Sequence, residues 1–225
     1  GNRQVFMDGI RDILGIEPEV ITGDEEAELS FAGAVLAVGA DASKTVVFDL
    51  GGGSTEFVLG TEEGVQAARS VNIGCVRLTE RHMASAPATS DQIQRVEADT
   101  DAAIDTVLQS VPLEKATRAV AVAGTATTIA AAALGLQTYD SEAINGSSIS
   151  IDTVQKTAEM LRSMTREERA ALGYMHPGRV DVIGAGATIY ARIMTRLREI
   201  TEGNIDSVTV SEHDILDGIA LSQVR

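Results

Sequence analysis

The apolar positions of the chain change period from one segment to the next. Over residues 3–14, Val5, Phe6, Ile10, Ile13 and Leu14 share one helical face, and Gly15 closes the segment. Residues 19–21 have the look of a short strand, and a helix is predicted to open at 22–24 and run to about Val38. Residues 40–44 form a polar break. The period then shortens. Residues 45–49 and 55–59 are apolar, β-rich runs separated by 51–54, which predicts two strands joined by a tight turn. Residues 65–73 continue in strand style. Helices follow at 75–83 and, after Pro87, at 89–110. Residues 118–123 predict a strand that Gly124 turns into a helix over 125–134, and 137–150 lack a pattern and are read as loop. Helices are predicted at 151–162, 165–172 and 180–199. In the last, Ile183, Ala187, Tyr190, Met194 and Leu197 step by three and four. A strand at 206–210 and a helix at 214–223 complete the pattern. Strands and helices alternate around a central hairpin, so the expected class is α/β with a mixed sheet.

Composition narrows the partners. The 225 residues are 44% hydrophobic and 23% charged, which excludes wholesale disorder. One cysteine excludes a disulfide framework or a Cys-rich zinc site and suits a reducing compartment. Lys and Arg number 18 against 33 Asp and Glu, a net charge of −15, and no basic stripe suggests a nucleic-acid partner. A polyanion could be handled only by a local device: a metal, a few arginines or aimed backbone amides. Arg3, Asp8, Arg11 and Asp12 make the first segment unlike a secretory signal. The longest uncharged stretch, from Ala119 toward Asp140, is too rich in Ala, Gly and Thr for a membrane span. The reading is a cytoplasmic protein with no membrane partner.

Four segments can carry chemistry. In the first, Asp49, Gly51, Gly52, Gly53, Ser54, Thr55 and Glu56 follow one another between apolar strands. Glycines there permit positive φ and close approach, and successive amides can cradle a phosphate. Asp49 and Glu56 flank the turn and suit Mg²⁺, or Mn²⁺, which bridges to phosphate oxygens. The bland alternative is a tight hairpin with solvated acids. In the second, Thr22 and Glu25 fit a capping box, which leaves Glu26 without a structural duty and free to orient a water. In the third, Gly124 and Thr125 open a helix whose amides suit an anion, with tight strand–helix packing as the alternative. In the fourth, Arg179 and His176 lie in a Pro/Gly loop; His176 is more simply a bystander and Asp181 a helix cap. Arg69 and Arg77 lie near the glycine turn in sequence, and Cys75 is read as buried packing.

In one order along the chain, these blocks resemble the exopolyphosphatase and guanosine pentaphosphate phosphohydrolase family of the actin-like, sugar kinase and Hsp70 superfamily. The residues that carry the resemblance are 23–27, 49–56, 72–80, 123–128 and 176–183. The resemblance implies actin-like (ribonuclease H-like) lobes with mixed sheets, and Mg²⁺-dependent hydrolysis of the terminal phosphoanhydride of polyphosphate or guanosine pentaphosphate. Glu26 would be the catalytic base, Asp49 and Glu56 the metal ligands, and Gly51, Gly52, Gly53, Ser54, Thr55, Gly124 and Thr125 the phosphate cradle. Arg77, Arg179 and Arg69 would be further anion contacts. The family opens with an Asp-x-Gly-Thr-x-Ser loop that these residues do not contain. Residues 1–38 are therefore expected to be the remnant of an N-terminal lobe and 39–225 the second lobe, with 214–223 packing back on the first. On that expectation the chain alone lacks half the cleft and is inactive, exposes apolar helix faces, and has a first lobe that is open, flexible or paired with another chain, the expected pairing being a homodimer. A catalytically dead polyphosphate or nucleotide sensor, and an ATPase or kinase of the same superfamily, are the competing readings.

Overall fold

The computed structural model describes residues 3–37, 39 and 44–223. Of the polar break at 40–44, residues 40–43 lie outside them. Six strands form one mixed sheet in the order β3-β2-β1-β4-β6-β5. They are β1 (Thr45–Leu50), β2 (Thr55–Thr61), β3 (Gly64–Val71), β4 (Arg118–Val122), β5 (Ser148–Ser150) and β6 (Ser207–Val210). β1, β2 and β3 form an antiparallel meander, whereas β4 runs parallel to both β1 and β6. The expected class holds. Ten helices are described: α1 (Arg3–Leu14), α2 (Gly23–Ala34), α3 (Cys75–His82), α4 (Ser90–Val107), α5 (Ala123–Ala133), α6 (Ser141–Ile144), α7 (Ile151–Ser163), α8 (Arg166–Ala170), α9 (Ile183–Ile200) and α10 (Ile215–Ser222).

Alternation along β1 and β2 sends side chains to two unequal cores. Phe48, Leu50, Phe57 and Leu59 enter the larger one, with Ile104, Ile129 and most of the inner stripe of α9. Phe48 stacks near Phe57 (centroids 6.3 Å apart) and meets the Tyr190 ring at 5.2 Å. Val47 and Val58 point the other way and join Val120 and Val122 beneath Ala27, Phe31 and Ala34 of α2. The Phe31 ring lies over Gly60, where a Cβ would come within 2.6 Å of it. α2 also crosses α10 backbone to backbone. A Cβ on Gly33 would meet the Asp214 carbonyl oxygen at 1.9 Å, and one on Gly218 the Leu29 carbonyl oxygen at 1.9 Å. The stripe of α1 faces outward, with Phe6 70% exposed.

Three local expectations change. Residues 19–21 form no strand, because no neighbouring strand pairs with them among the described residues. The patternless stretch 137–150 contains α6 and β5, and β5 exists through antiparallel pairing with β6 far along the chain. The strand-to-helix turn after β4 is made at Ala123, which takes a φ of 72°, and not at Gly124.

Candidate active site

The parallel strands β1, β4 and β6 end on one edge of the sheet, the edge where open α/β sheets bind ligands. Asp49 and Glu56 are directly opposed in the β1–β2 register. Cross-strand partners share a face, and here it is the α2 face, since Val47 and Val58 lie two residues further along each strand. Asp49 is half-buried. Its carboxyl is pushed up to about 6, first by burial and then by the charges of Glu56, Asp214 and Glu26. Ser70 Oγ donates to Glu56 Oε1 at 2.6 Å.

Glu26 reaches this edge from α2. Thr22 and Glu25 close the expected capping box: the Glu25 amide donates to Thr22 Oγ1 at 3.2 Å and the Thr22 amide to Glu25 Oε2 at 2.7 Å. The Thr22 amide, and then the Thr22 hydroxyl that donates to the same Oε2 at 2.9 Å, hold the Glu25 carboxyl below its ordinary range. Glu26 has no such duty; with Glu56, Arg69 and Ser70 it lines a cavity of about 260 Å³ between α2 and the β2–β3 hairpin.

The glycine turn is tied to the start of α3. The Cys75 amide donates to the Gly51 carbonyl at 3.0 Å, and the Val76 and Arg77 amides donate to the Gly52 carbonyl at 2.9 and 3.0 Å. The first-turn amides of α3 are thereby satisfied by the turn's carbonyls. No residue of the turn adopts positive φ. The glycines are required by close approach instead: a Cβ on Gly74 would lie 2.4 Å from the Gly52 carbonyl oxygen, and one on Gly52 3.2 Å from Val76. The Gly51 amide is spent on the Ser54 carbonyl at 3.1 Å. The amides of Gly52, Gly53 and Ser54 donate to no group among the described residues.

Several expected phosphate contacts turn inward. Thr55 is fully buried and its hydroxyl donates to the Ile73 carbonyl at 2.8 Å. Thr125 is buried, with its hydroxyl against Cys75. Arg77 Nε donates to the Gly53 carbonyl at 2.7 Å, so it braces the turn. Cys75 is only half-buried and stands at the first residue of α3 beside the turn, where burial pushes its thiol up.

Gly124 owes its identity to Arg179. A Cβ there would lie 2.3–2.4 Å from three guanidinium atoms. Arg179 Nη1 donates to Thr128 Oγ1 at 3.2 Å and Thr127 Oγ1 at 3.5 Å, and no side chain caps α5. A cation thus lies over the positive end of a helix dipole, an arrangement suited to an anion. His176 accepts from the Gly178 amide at 3.1 Å and so shapes its own loop. Asp181 does not cap α9; it pairs with Arg166 at 2.7 Å, because α9 begins two residues later.

Sequence reasoning passed over Asp214 and Glu212. Both follow β6 at the edge where Asp49 lies. Asp214 caps α10 by accepting from the Leu216 amide at 2.9 Å and adds its charge to that around Asp49. The Ser-Glu-His-Asp run after a predicted strand was the signal.

The profile of the Ppx/GppA phosphatase family matches residues 1–223. The chain belongs to that family. It is 48% identical over 226 residues to exopolyphosphatase 2 of Mycobacterium tuberculosis, covering 98% of this chain and 70% of that protein. It is 36% identical over 104 residues to a guanosine-5'-triphosphate,3'-diphosphate pyrophosphatase of Photobacterium profundum, covering 46% of this chain and 19% of that one. The solved structure of an exopolyphosphatase-like protein superposes with a TM-score of 0.92 at 43% identity, covering 99% of this chain and 73% of that one. The Aquifex aeolicus Ppx/GppA protein gives 0.82 at 26% identity, covering 99% and 69%. This Ppx/GppA chain shares their α/β actin-like fold. Among its described residues no helix is long and apolar enough to cross a membrane. Nor do three or more acidic, His or Cys side chains among them group closely enough to ligate a metal.

Proposed function

We propose that this Ppx/GppA phosphatase removes the terminal phosphoryl group of inorganic polyphosphate or guanosine pentaphosphate, with Glu26 as the base that positions water. Membership of the family makes the chain a phosphoanhydride hydrolase, and the names of its relatives supply the two substrates. One observation carries the reading: Asp49 and Glu56 are opposed at the mouth of a turn whose Gly52, Gly53 and Ser54 amides are unspent. Those amides receive the terminal phosphoryl oxygens, and Arg179 over the α5 N-terminus receives the next. Glu26 accepts a proton from water as the water oxygen bonds to phosphorus. The anhydride P–O bond breaks, and the rest of the substrate departs as a phosphate. Phosphoryl transfer asks mainly for positioning and charge neutralisation, which these groups provide.

The donor set fits a divalent cation. Two opposed carboxylates, one pushed up to about 6 by burial and then by its acidic neighbours, favour a bound positive charge, and a pair with water and phosphate oxygens is what Mg²⁺ takes. Asp49 and Glu56 would hold Mg²⁺ or Mn²⁺, which when bound offsets the charge of the phosphoryl oxygens. The setting is a cytoplasmic enzyme.

The test is Glu26→Ala in the intact protein. Phosphate release from polyphosphate is expected to fall about 10²–10⁴-fold with the melting temperature unchanged. Near-normal release would remove Glu26 from the role. Asp49→Asn is expected to raise the Mg²⁺ concentration giving half-maximal rate, and an unchanged titration would take Asp49 out of the site.

A further inference from the structure

Beside Arg179 lies a second cavity, of about 410 Å³, walled by Tyr139, Gly173, Tyr174, Met175, His176 and Arg179. Arg179 forms no ion pair among the described residues, although the chain carries a net charge of −15. An acid is nonetheless close by. The Tyr139 hydroxyl donates to Glu212 Oε1 at 2.5 Å. Tyr139 feels the charges of both Glu212 and Arg179. The Glu212 backbone is fixed, its amide donating to Asn145 Oδ1 at 3.1 Å. Only side-chain torsions of Glu212 remain to decide which partner its carboxylate takes.

A half-buried carboxylate and an unpaired guanidinium that both act on one tyrosine are candidates to pair with each other, and the fork-to-fork bond of such a pair is the stronger kind. Here the carboxylate is engaged by a phenol instead. Tyr139 holds that carboxylate and lines the same cavity as Arg179, so its hydroxyl takes an acceptor that would otherwise be open to the cation.

We propose that Tyr139 is a positioning residue that holds Glu212 away from Arg179 and keeps the guanidinium available to substrate phosphate. This rests on the reading of Arg179 as a phosphate contact. Without the hydroxyl, Glu212 turns to Arg179, closes the cavity with an internal ion pair and competes with the anion.

The probe is inorganic tripolyphosphate, titrated by calorimetry into the intact protein carrying Glu26→Ala, so that the probe is not consumed. Adding Tyr139→Phe is expected to weaken binding about tenfold. Glu212→Gln alone should leave affinity within about twofold, and adding Glu212→Gln to Tyr139→Phe should restore it. Tyr139 is 41% exposed, so Tyr139→Phe leaves the core intact. A lost packing contact would not be rescued by a change at Glu212. Unchanged affinity in Tyr139→Phe, or a double variant as weak as the single, overturns the proposal. Arg179→Met separates the two readings. If it weakens binding while Tyr139→Phe does not, the guarding role alone is wrong; if it has no effect, both readings fall.

Discussion

On the α9 side of the sheet, β1 and β2 contribute Phe48, Leu50, Phe57 and Leu59, all fully buried. On the α2 side the same two strands contribute Val47 and Val58 and then Asp49 and Glu56. The backbone ladder is shared, so the contrast lies in what covers each face. Four large side chains under α9 remove their surface from water completely. Under α2 the cover is thinner, built on Ala27, Phe31 and Ala34, and it ends before the strand termini. Carboxylates survive there because water and neighbouring groups can still reach them. The thick face supplies stability, and the thin face keeps charge at a cost to stability that a bound cation would relieve.

The contrast can be broken or sharpened by substitution. Phe48→Ala removes the ring that touches both Phe57 and Tyr190, and should cost about 3–5 kcal/mol in urea denaturation. A loss below about 1 kcal/mol would show that the thick face is not the main source of stability. Asp49 should act in the opposite sense. Its carboxyl, at about 6 against an ordinary 3.8, keeps its proton in the folded chain where the unfolded chain has released it. Folding therefore takes up a proton in this window, and the stability tied to Asp49 is highest below about pH 4 and lost as pH rises through 6. In chelator-treated protein, Asp49→Asn is expected to gain roughly 2 kcal/mol at pH 7.5 and nothing at pH 4. Equal curves for the two proteins across that range would mean that the acid is not confined. The smallest effect belongs to the cap of α2. Thr22→Ala should cost about 1 kcal/mol and move the Glu25 carboxyl part of the way up toward its ordinary range, measured by NMR titration, because the hydroxyl is lost while the amide of residue 22 still donates. A Glu25 titration that does not move would mean that the Thr22 hydroxyl does not hold it.

How far the molecule was legible in its sequence depended on the range of the interaction. The strands at 45–50 and 55–61 were visible because each carries its own apolar run, and the capping box at Thr22 and Glu25 because both partners lie within one turn. β5 was not, since three residues become a strand only against β6, some sixty positions away. The glycines at 51–53 were seen but for a reason the structure only half uses. Their neighbours Gly74 and Val76 enter from another segment, and close approach cannot be read from local pattern. Gly124 is the same case with Arg179. Asp214 and Glu212 escaped because the β4–β6 pairing that brings them to the site leaves no local mark.

The crossing of α2 and α10 at Gly33 and Gly218 leaves no methyl group for mutation to trim or enlarge. Sequence drift can therefore not adjust this joint by small steps. Any new residue at either glycine must part the two rods bodily and carry Glu26 off with one of them, so tuning of the gap between that acid and the sheet has to come from elsewhere in the chain.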